Sequence, residues 1–128
     1  LTVPLDLLVV DDEPKVRAML QHAFEEMGAQ VRTVETGEEA LQVVAQRLPQ
    51  LVLLDIKMPE MDGFDVLKPL KLRYPKLAIL IITGYFDETI HRYVVQEQGA
   101  LACFHKPLDL PAVQRKVAEL AARLTPRS

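Results

Sequence analysis

Polar side chains follow four separate apolar runs of the chain. Asp55 ends one run, and the pair Asp11-Asp12 follows another. Thr83 and Lys106 come directly after two further runs. If these runs are parallel strands that lie side by side, their carboxyl ends meet at one edge of one sheet. The sequence therefore predicts a single polar site that contains three carboxylates, a hydroxyl and an ammonium group.

This set of side chains suits phosphoryl chemistry. Three clustered carboxylates repel one another and need a compensating cation. Mg²⁺ prefers oxygen ligands and takes one or two carboxylates, whereas no histidine or cysteine accompanies these residues in zinc-like spacing. With Mg²⁺, a lysine and a threonine hydroxyl could offset the charge of a transferred phosphoryl group. We predict that Asp55 is the nucleophile and that Asp11-Asp12 hold the metal, which leaves three carboxylates, Mg²⁺ and Lys106 formally neutral.

The segments that would position these residues alternate regularly between strands and helices. Short runs rich in Leu, Val and Ile predict strands, several of them buried on both faces. The predicted strands are Asp6–Val10, Gln30–Val34, Leu51–Leu54, Ala78–Ile82 and Ala102–His105. Apolar residues at three- and four-residue steps predict a helix after each strand. This order predicts an α/β, three-layer doubly wound fold, in which parallel strands are joined by helical crossovers.

Local signals mark where several helices begin and end. Thr36 and Glu39 have the spacing of a capping box, and Asp109 is a candidate N-cap of the last helix. Gly28 fits the end of the first helix. Pro69 falls inside the third helical pattern, where a proline requires a bend or a late start of the helix, and we expect a local kink.

Size and composition are those of one globular domain. The chain has 128 residues, of which 49% are hydrophobic and 26% charged, so we expect a single domain over residues 1–128 with its core at about 5–124. A net charge of −3 argues against a surface dedicated to nucleic acid. The single cysteine, the lack of a signal-like start and the lack of a membrane-length apolar run predict a cytoplasmic protein with no membrane partner.

Together these residues resemble the receiver domain of response regulators, the phosphoacceptor part of two-component signalling. The matching segments occur in the family's order and at its spacing. They are Val9-Val10-Asp11-Asp12-Glu13, Leu54-Asp55-Ile56-Lys57-Met58-Pro59, Met61-Asp62-Gly63, Ile82-Thr83-Gly84, Gly99-Ala100 and Lys106-Pro107. The resemblance covers nearly the whole chain, and it implies a flavodoxin-like fold with five parallel strands in the order 2-1-3-4-5 and five helices.

The resemblance also implies a signalling role. A histidine kinase or a small phosphodonor would phosphorylate Asp55, and Thr83 and Lys106 would contact the phosphoryl group. The implied ligands of Mg²⁺ are Asp11, Asp12, Asp55 and the backbone carbonyl of Lys57. Phosphorylation would reshape the face formed by the fourth helix, fifth strand and fifth helix, and so change the binding of an output domain or protein partner. The domain would assist its own phosphorylation and dephosphorylation without being an enzyme in the usual sense.

One position departs from the family pattern. Most receiver domains carry Tyr or Phe three residues before the lysine, and that ring moves inward with the threonine; here the residue is Cys103. Neighbouring strand residues point to opposite faces, so we predict that Phe104 packs in the core and does not replace the ring. We hypothesise that Tyr85, Phe86 or Tyr93 supplies the moving aromatic surface, or that this surface changes little.

Two other functions fit parts of the pattern. A phosphatase with an aspartyl nucleophile usually places nucleophile and general acid two residues apart on the first strand, whereas Asp11 and Asp12 are adjacent. A nucleotide- or flavin-binding module needs a glycine-rich turn after a strand, but the five glycines do not cluster. A receiver fold that binds partners independently of phosphorylation is a further alternative. Both a stand-alone receiver and a piece of a larger regulator fit the sequence.

Overall fold

Strands and helices alternate along the chain. The computed structural model describes residues 5–56, 62–84 and 88–124, and all side chains of these residues except 62–64. Within them the strands are β1 (Asp6–Val10), β2 (Gln30–Val34), β3 (Leu51–Ile56), β4 (Ala78–Thr83) and β5 (Ala102–His105). The helices are α1 (Pro14–Glu26), α2 (Gly37–Gln46), α3 (Asp62–Arg73), α4 (Glu88–Arg92) and α5 (Leu110–Leu124), and a π-helical turn at Tyr93–Glu97 continues α4.

The strands form one parallel sheet in the order β2-β1-β3-β4-β5. This confirms the predicted doubly wound fold and its strand order. Two predicted strand ends are too early, because the β3–β4 ladder continues through Asp55 opposite Ile82 and Ile56 opposite Thr83. Asp55 and Thr83 therefore belong to their strands, which hold them more firmly than loops would.

The core lies in two layers, one on each face of the sheet. Successive strand residues point to opposite faces, so Leu53 packs in the layer that contains α1 and α5, and Leu54 packs in the layer that contains α2 and α3. The residues of β1, β3 and β4 are almost all buried, which explains their nearly continuous apolar sequences. None of the described helices is long and apolar enough to cross a membrane.

The predicted signals at Thr36, Asp109 and Gly28 are confirmed. The Thr36 hydroxyl accepts a hydrogen bond from the Glu39 backbone N–H (3.1 Å), and the Asp109 carboxylate caps α5 by accepting from Ala112 N–H (3.2 Å). Gly28 ends α1 with a φ of 92°. Pro69 lies in the interior of α3, which begins at Asp62, so the helix does not start late, and the kink at Pro69 stays a prediction. The buried neighbours of Pro69 in α3 offset the backbone hydrogen bond that proline removes.

Candidate functional site

Three aspartates meet at the carboxyl edge of the sheet. Val10 of β1 pairs with Leu54 of β3, so the residues that follow them, Asp11 and Asp55, lie side by side at the edge of the sheet. Ligand oxygens of Asp11, Asp12 and Asp55 all lie within 4.8 Å of one another. Asp11 is buried and the Asp55 side chain is only 6% exposed, whereas Asp12 is exposed at the mouth of the cluster.

The backbone and side chain of Asp11 are held by several hydrogen bonds. Its N–H donates to the Val34 carbonyl (3.1 Å), and its Oδ1 accepts from the Glu13 backbone N–H (2.8 Å). Its carbonyl accepts from Arg17 Nη1 (2.6 Å), a contact that the sequence analysis missed. The sequence signal that could have indicated this contact is an arginine one turn into the helix that follows an acidic pair. These contacts fix where the Asp11 carboxylate points.

Lys106 brings its ammonium group into the acidic cluster. Its Nζ lies 2.6 Å from Glu13 Oε1, 2.8 Å from Asp11 Oδ2 and 3.5 Å from Asp55 Oδ2. The Lys106 backbone N–H donates to the Thr83 carbonyl (2.7 Å), which fastens the end of β5 to β4. The Lys106 side chain is 13% exposed, so the ammonium is largely withdrawn from water.

Thr83 lies at the carboxyl end of β4, beside the aspartates. It pairs with Ile56 of β3 on one side and with His105 of β5 on the other. Its side chain is buried, and its Oγ1 donates a hydrogen bond to the Ile56 carbonyl (3.1 Å). The Thr83 hydroxyl is therefore held next to the residue that follows Asp55.

The electrostatics of the cluster favour a bound cation. Burial, with the negative charges of Asp11 and Asp12, raises the pKa of the Asp55 carboxyl to about 6, although Lys106 opposes the shift. Burial alone would lower the pKa of Lys106, but close contacts with the carboxylates of Asp11 and Glu13 and the charge of Asp55 raise it above its ordinary value. Lys106 therefore stays charged. Ionisation of Asp55 is unfavourable unless a further cation binds in the cluster.

Glu13 changes the charge balance derived from the sequence. Four carboxylates, those of Asp11, Asp12, Asp55 and Glu13, contact Lys106 or belong to the cluster. They carry a formal charge of minus four, which Lys106 reduces to minus three and a divalent cation would reduce to minus one. The predicted neutrality of the site is therefore wrong, because the count of three carboxylates omitted Glu13.

The donor set fits Mg²⁺. All side-chain donors in the cluster are carboxylate oxygens, which hard divalent cations prefer. Asp11 Oδ2 is buried and, within the described part of the chain, accepts no well-directed hydrogen bond although Lys106 lies near it. Such an oxygen is a suitable ligand for a cation. The predicted backbone ligand at Lys57 lies outside the described residues.

The structure places Cys103 and Phe104 on opposite faces of β5. Phe104 packs against the core layer of α1 and α5, as predicted, whereas Cys103 packs against the other layer. Burial raises the pKa of the Cys103 thiol to about 11, so it is protonated near neutral pH. Tyr93 is exposed in the π-helical turn, and Tyr85 and Phe86 lie outside the described residues. Which aromatic surface moves stays a hypothesis.

The fold and the site together define a class of protein, the doubly wound α/β domains with an acidic, lysine-containing site at the carboxyl edge of the sheet. Within that class, the family model of the response regulator receiver domain matches residues 7–118. The chain belongs to the response regulator receiver family, which confirms the resemblance seen in the sequence.

Relatives of two different lengths match the chain. Sporulation initiation phosphotransferase F of Bacillus subtilis is 35% identical over 111 residues, which cover 87% of this chain and 89% of that protein. The DNA-binding transcriptional regulator NtrC of Escherichia coli K12 is 34% identical over 126 residues, which cover 94% of this chain. The chain spans only 26% of the length of NtrC.

Solved receiver domains have the same architecture. The receiver domain of NtrX from Brucella abortus is 30% identical with a TM-score of 0.82, and the match covers 94% of this chain and all of that one. The BeF3-activated receiver domain of NtrC is 32% identical with a TM-score of 0.81, and the match covers 96% and 98% of the two chains. These similarities support both the family and the fold.

Proposed function

We propose that Asp55 accepts a phosphoryl group from a histidine kinase, or from a small phosphodonor, in a Mg²⁺-dependent reaction. The observation that carries this proposal is the environment of the Asp55 carboxylate. It belongs to the cluster with Asp11 and Asp12, and its Oδ2 lies 3.5 Å from the Lys106 ammonium. Acidic residues, a lysine and a threonine at one sheet edge are the groups that phosphoryl transfer needs.

Each residue has a distinct role in the proposed transfer. An Asp55 carboxylate oxygen attacks phosphorus, and the bond from phosphorus to the donor's nitrogen or oxygen breaks, so the donor leaves with that electron pair. Lys106 places positive charge beside one phosphoryl oxygen. Thr83 donates its hydroxyl to another, for which it must release the Ile56 carbonyl.

Mg²⁺ would be held by carboxylates of the cluster. The proposed ligands are Asp11, Asp12, Asp55 and, from the family resemblance, the backbone carbonyl of Lys57. When bound, the cation neutralises charge on the phosphoryl oxygens. The same cation offsets the mutual repulsion of the carboxylates, which adds to burial in raising the pKa of Asp55.

Phosphorylation would turn this charge change into a signal. A phosphoryl group replaces one carboxylate charge by a charge of about −1.5 to −2 and adds strong acceptor oxygens. Reorientation of Thr83 at the end of β4 would alter the face formed by α4, β5 and α5, and with it the affinity for an output domain or protein partner. The cytoplasmic location, the single domain over residues 1–128 and the lack of direct nucleic-acid or membrane partners stay predictions.

The test is stoichiometric labelling. Wild-type protein, Asp55→Asn and Asp65→Asn are incubated with acetyl phosphate and Mg²⁺ and measured by intact mass spectrometry. Asp65 is exposed on α3, so its variant controls for loss of a carboxylate elsewhere. We expect one added phosphoryl group on wild type and Asp65→Asn and none on Asp55→Asn. An unlabelled wild type would contradict the proposal, and steady turnover of phosphate esters would favour a phosphatase.

A further inference from the structure

Glu13 makes the shortest contact of the Lys106 ammonium. The distance from Lys106 Nζ is 2.6 Å to Glu13 Oε1, against 2.8 Å to Asp11 and 3.5 Å to Asp55. Glu13 is also the N-cap residue of α1, but its side chain makes no capping hydrogen bond. Its carboxylate is therefore directed at Lys106 and not at the helix.

We propose that Glu13 is a positioning residue that holds the Lys106 ammonium away from Asp55 and competes with the phosphoryl group for it. The inference rests on the proposed role of Asp55 as phosphoacceptor. It adds a regulatory element to that role, because the strength of the Glu13 contact would set how readily the phosphorylated state forms.

The geometry explains why the two contacts compete. A lysine ammonium has three donor hydrogens. Asp11 and Glu13 lie at hydrogen-bonding distance, whereas Asp55 is left at 3.5 Å. The ammonium already contacts three carboxylates, so a phosphoryl oxygen on Asp55 would compete with them for its three hydrogens.

Glu13 is the contact that Lys106 would give up. The Asp11 side chain is fully buried, so it would lose its charge partner without gaining water. The Glu13 side chain is 55% exposed and can be rehydrated when Lys106 leaves. Glu13 also adds a negative charge that repels the incoming phosphoryl group. Removing this carboxylate should therefore favour the phosphorylated state.

Beryllofluoride, a stable mimic of the phosphoryl group, allows an equilibrium test. Its affinity is measured with saturating Mg²⁺ on wild type, Glu13→Gln and Glu119→Gln. Glu119 is a matched control, because its side chain is 52% exposed and it pairs with Lys116 and Arg123 within α5 instead of Lys106. We expect Glu13→Gln to bind beryllofluoride about two- to fivefold more tightly, the range that one partly exposed ion pair supplies. Glu119→Gln should match wild type.

Phosphorylation rates provide the second measurement. The rate of Asp55 labelling by acetyl phosphate should rise in Glu13→Gln, and the increase should vanish when Glu13→Gln is combined with Lys106→Gln. Unchanged or weaker beryllofluoride binding by Glu13→Gln would overturn the inference. Equal gains in Glu13→Gln and Glu119→Gln would also overturn it, since they would indicate a general charge effect.

A measurement without metal or phosphodonor separates the ion pair from the proposed function. Unfolding of metal-free wild type, Glu13→Gln, Lys106→Gln and the double variant forms a double-mutant cycle. We expect favourable coupling between the two side chains, and absence of coupling would overturn the inference. If wild type is labelled but indifferent to Glu13, only this inference fails; if Asp55 is never labelled, the proposed function fails and the inference with it.

Discussion

Replacing Asp55 by Asn should stabilise the metal-free protein at neutral pH. The Asp55 side chain is 6% exposed and close to two further aspartates, so its ionised form is disfavoured in the folded state. This is why the pKa of its carboxyl is raised from 3.8 to about 6. Asparagine has nearly the same shape and no charge, so it removes the repulsion and keeps the packing.

The raised pKa determines the size and pH dependence of this effect. Between about pH 4 and pH 6 the folded protein holds a proton on Asp55 that the unfolded chain has released. The free energy of unfolding of wild type therefore falls as pH rises through this window. A shift from 3.8 to about 6 corresponds to a loss of at most about 3 kcal/mol above the folded pKa. We expect Asp55→Asn to be about 2 kcal/mol more stable than wild type at about pH 7.5, with little difference near pH 4.

Urea unfolding in EDTA, followed by circular dichroism over this pH range, measures the effect. Asp65→Asn serves as control, because an exposed aspartate should change stability by no more than about 0.5 kcal/mol. Added Mg²⁺ should raise the stability of wild type more than that of Asp55→Asn, because the variant lacks one carboxylate ligand. Parallel pH profiles of wild type and Asp55→Asn, or a less stable variant at neutral pH, would refute the reasoning.

Other parts of the structure yield three shorter predictions. Arg17→Met removes the 2.6 Å hydrogen bond to the Asp11 carbonyl, so it should cost about 1–2 kcal/mol of stability in urea unfolding. It should also weaken Mg²⁺ binding measured by calorimetry, and an unchanged Mg²⁺ affinity would contradict a role of Arg17 in holding Asp11. Gly99→Ala should lower the free energy of unfolding by about 1 kcal/mol or more, because Gly99 has a φ of 82°. Gly84→Ala is the control in the same assay and should be tolerated, because an added Cβ meets nothing within 4 Å there. Cys103 should react with a thiol reagent at mildly alkaline pH far more slowly in the folded protein than in urea, since its pKa is raised to about 11; equal rates would contradict its burial.

Strand positions were predictable because burial on both faces leaves a clear trace in the sequence. The apolar run from Leu51 could hardly form anything other than a buried strand, and the order of elements then required a doubly wound sheet. The predicted proximity of Asp11, Asp55 and Lys106 followed from the fold alone. Pro69 is accommodated inside α3, where burial of its neighbours outweighs its low helix propensity.

The contact between Glu13 and Lys106 could not be read from the sequence. The two residues are 93 positions apart, and their pairing depends on how the end of β5 meets the start of α1. The ammonium lies 2.6 Å from Glu13 Oε1 and 3.5 Å from Asp55 Oδ2, so a small side-chain displacement decides which of the two carboxylates it contacts more closely. Neither residue type nor spacing specifies such a displacement, so the pairing of charges within the site had to come from the structure.

The position of Thr83 indicates which part of the structure would change first after phosphorylation, given that Cys103 stands where most receiver domains have an aromatic residue. Its hydroxyl donates to the carbonyl of Ile56, the residue directly after the proposed phosphoacceptor Asp55. If Thr83 turns to the phosphoryl group as proposed, this carbonyl loses a buried hydrogen bond, which costs about 1–3 kcal/mol unless the backbone adjusts. Cys103 is small and Phe104 faces the other core layer, so neither residue supplies the usual aromatic ring beside the threonine. The first structural response should therefore be at the carboxyl ends of β3 and β4, and only then at the surface of α4.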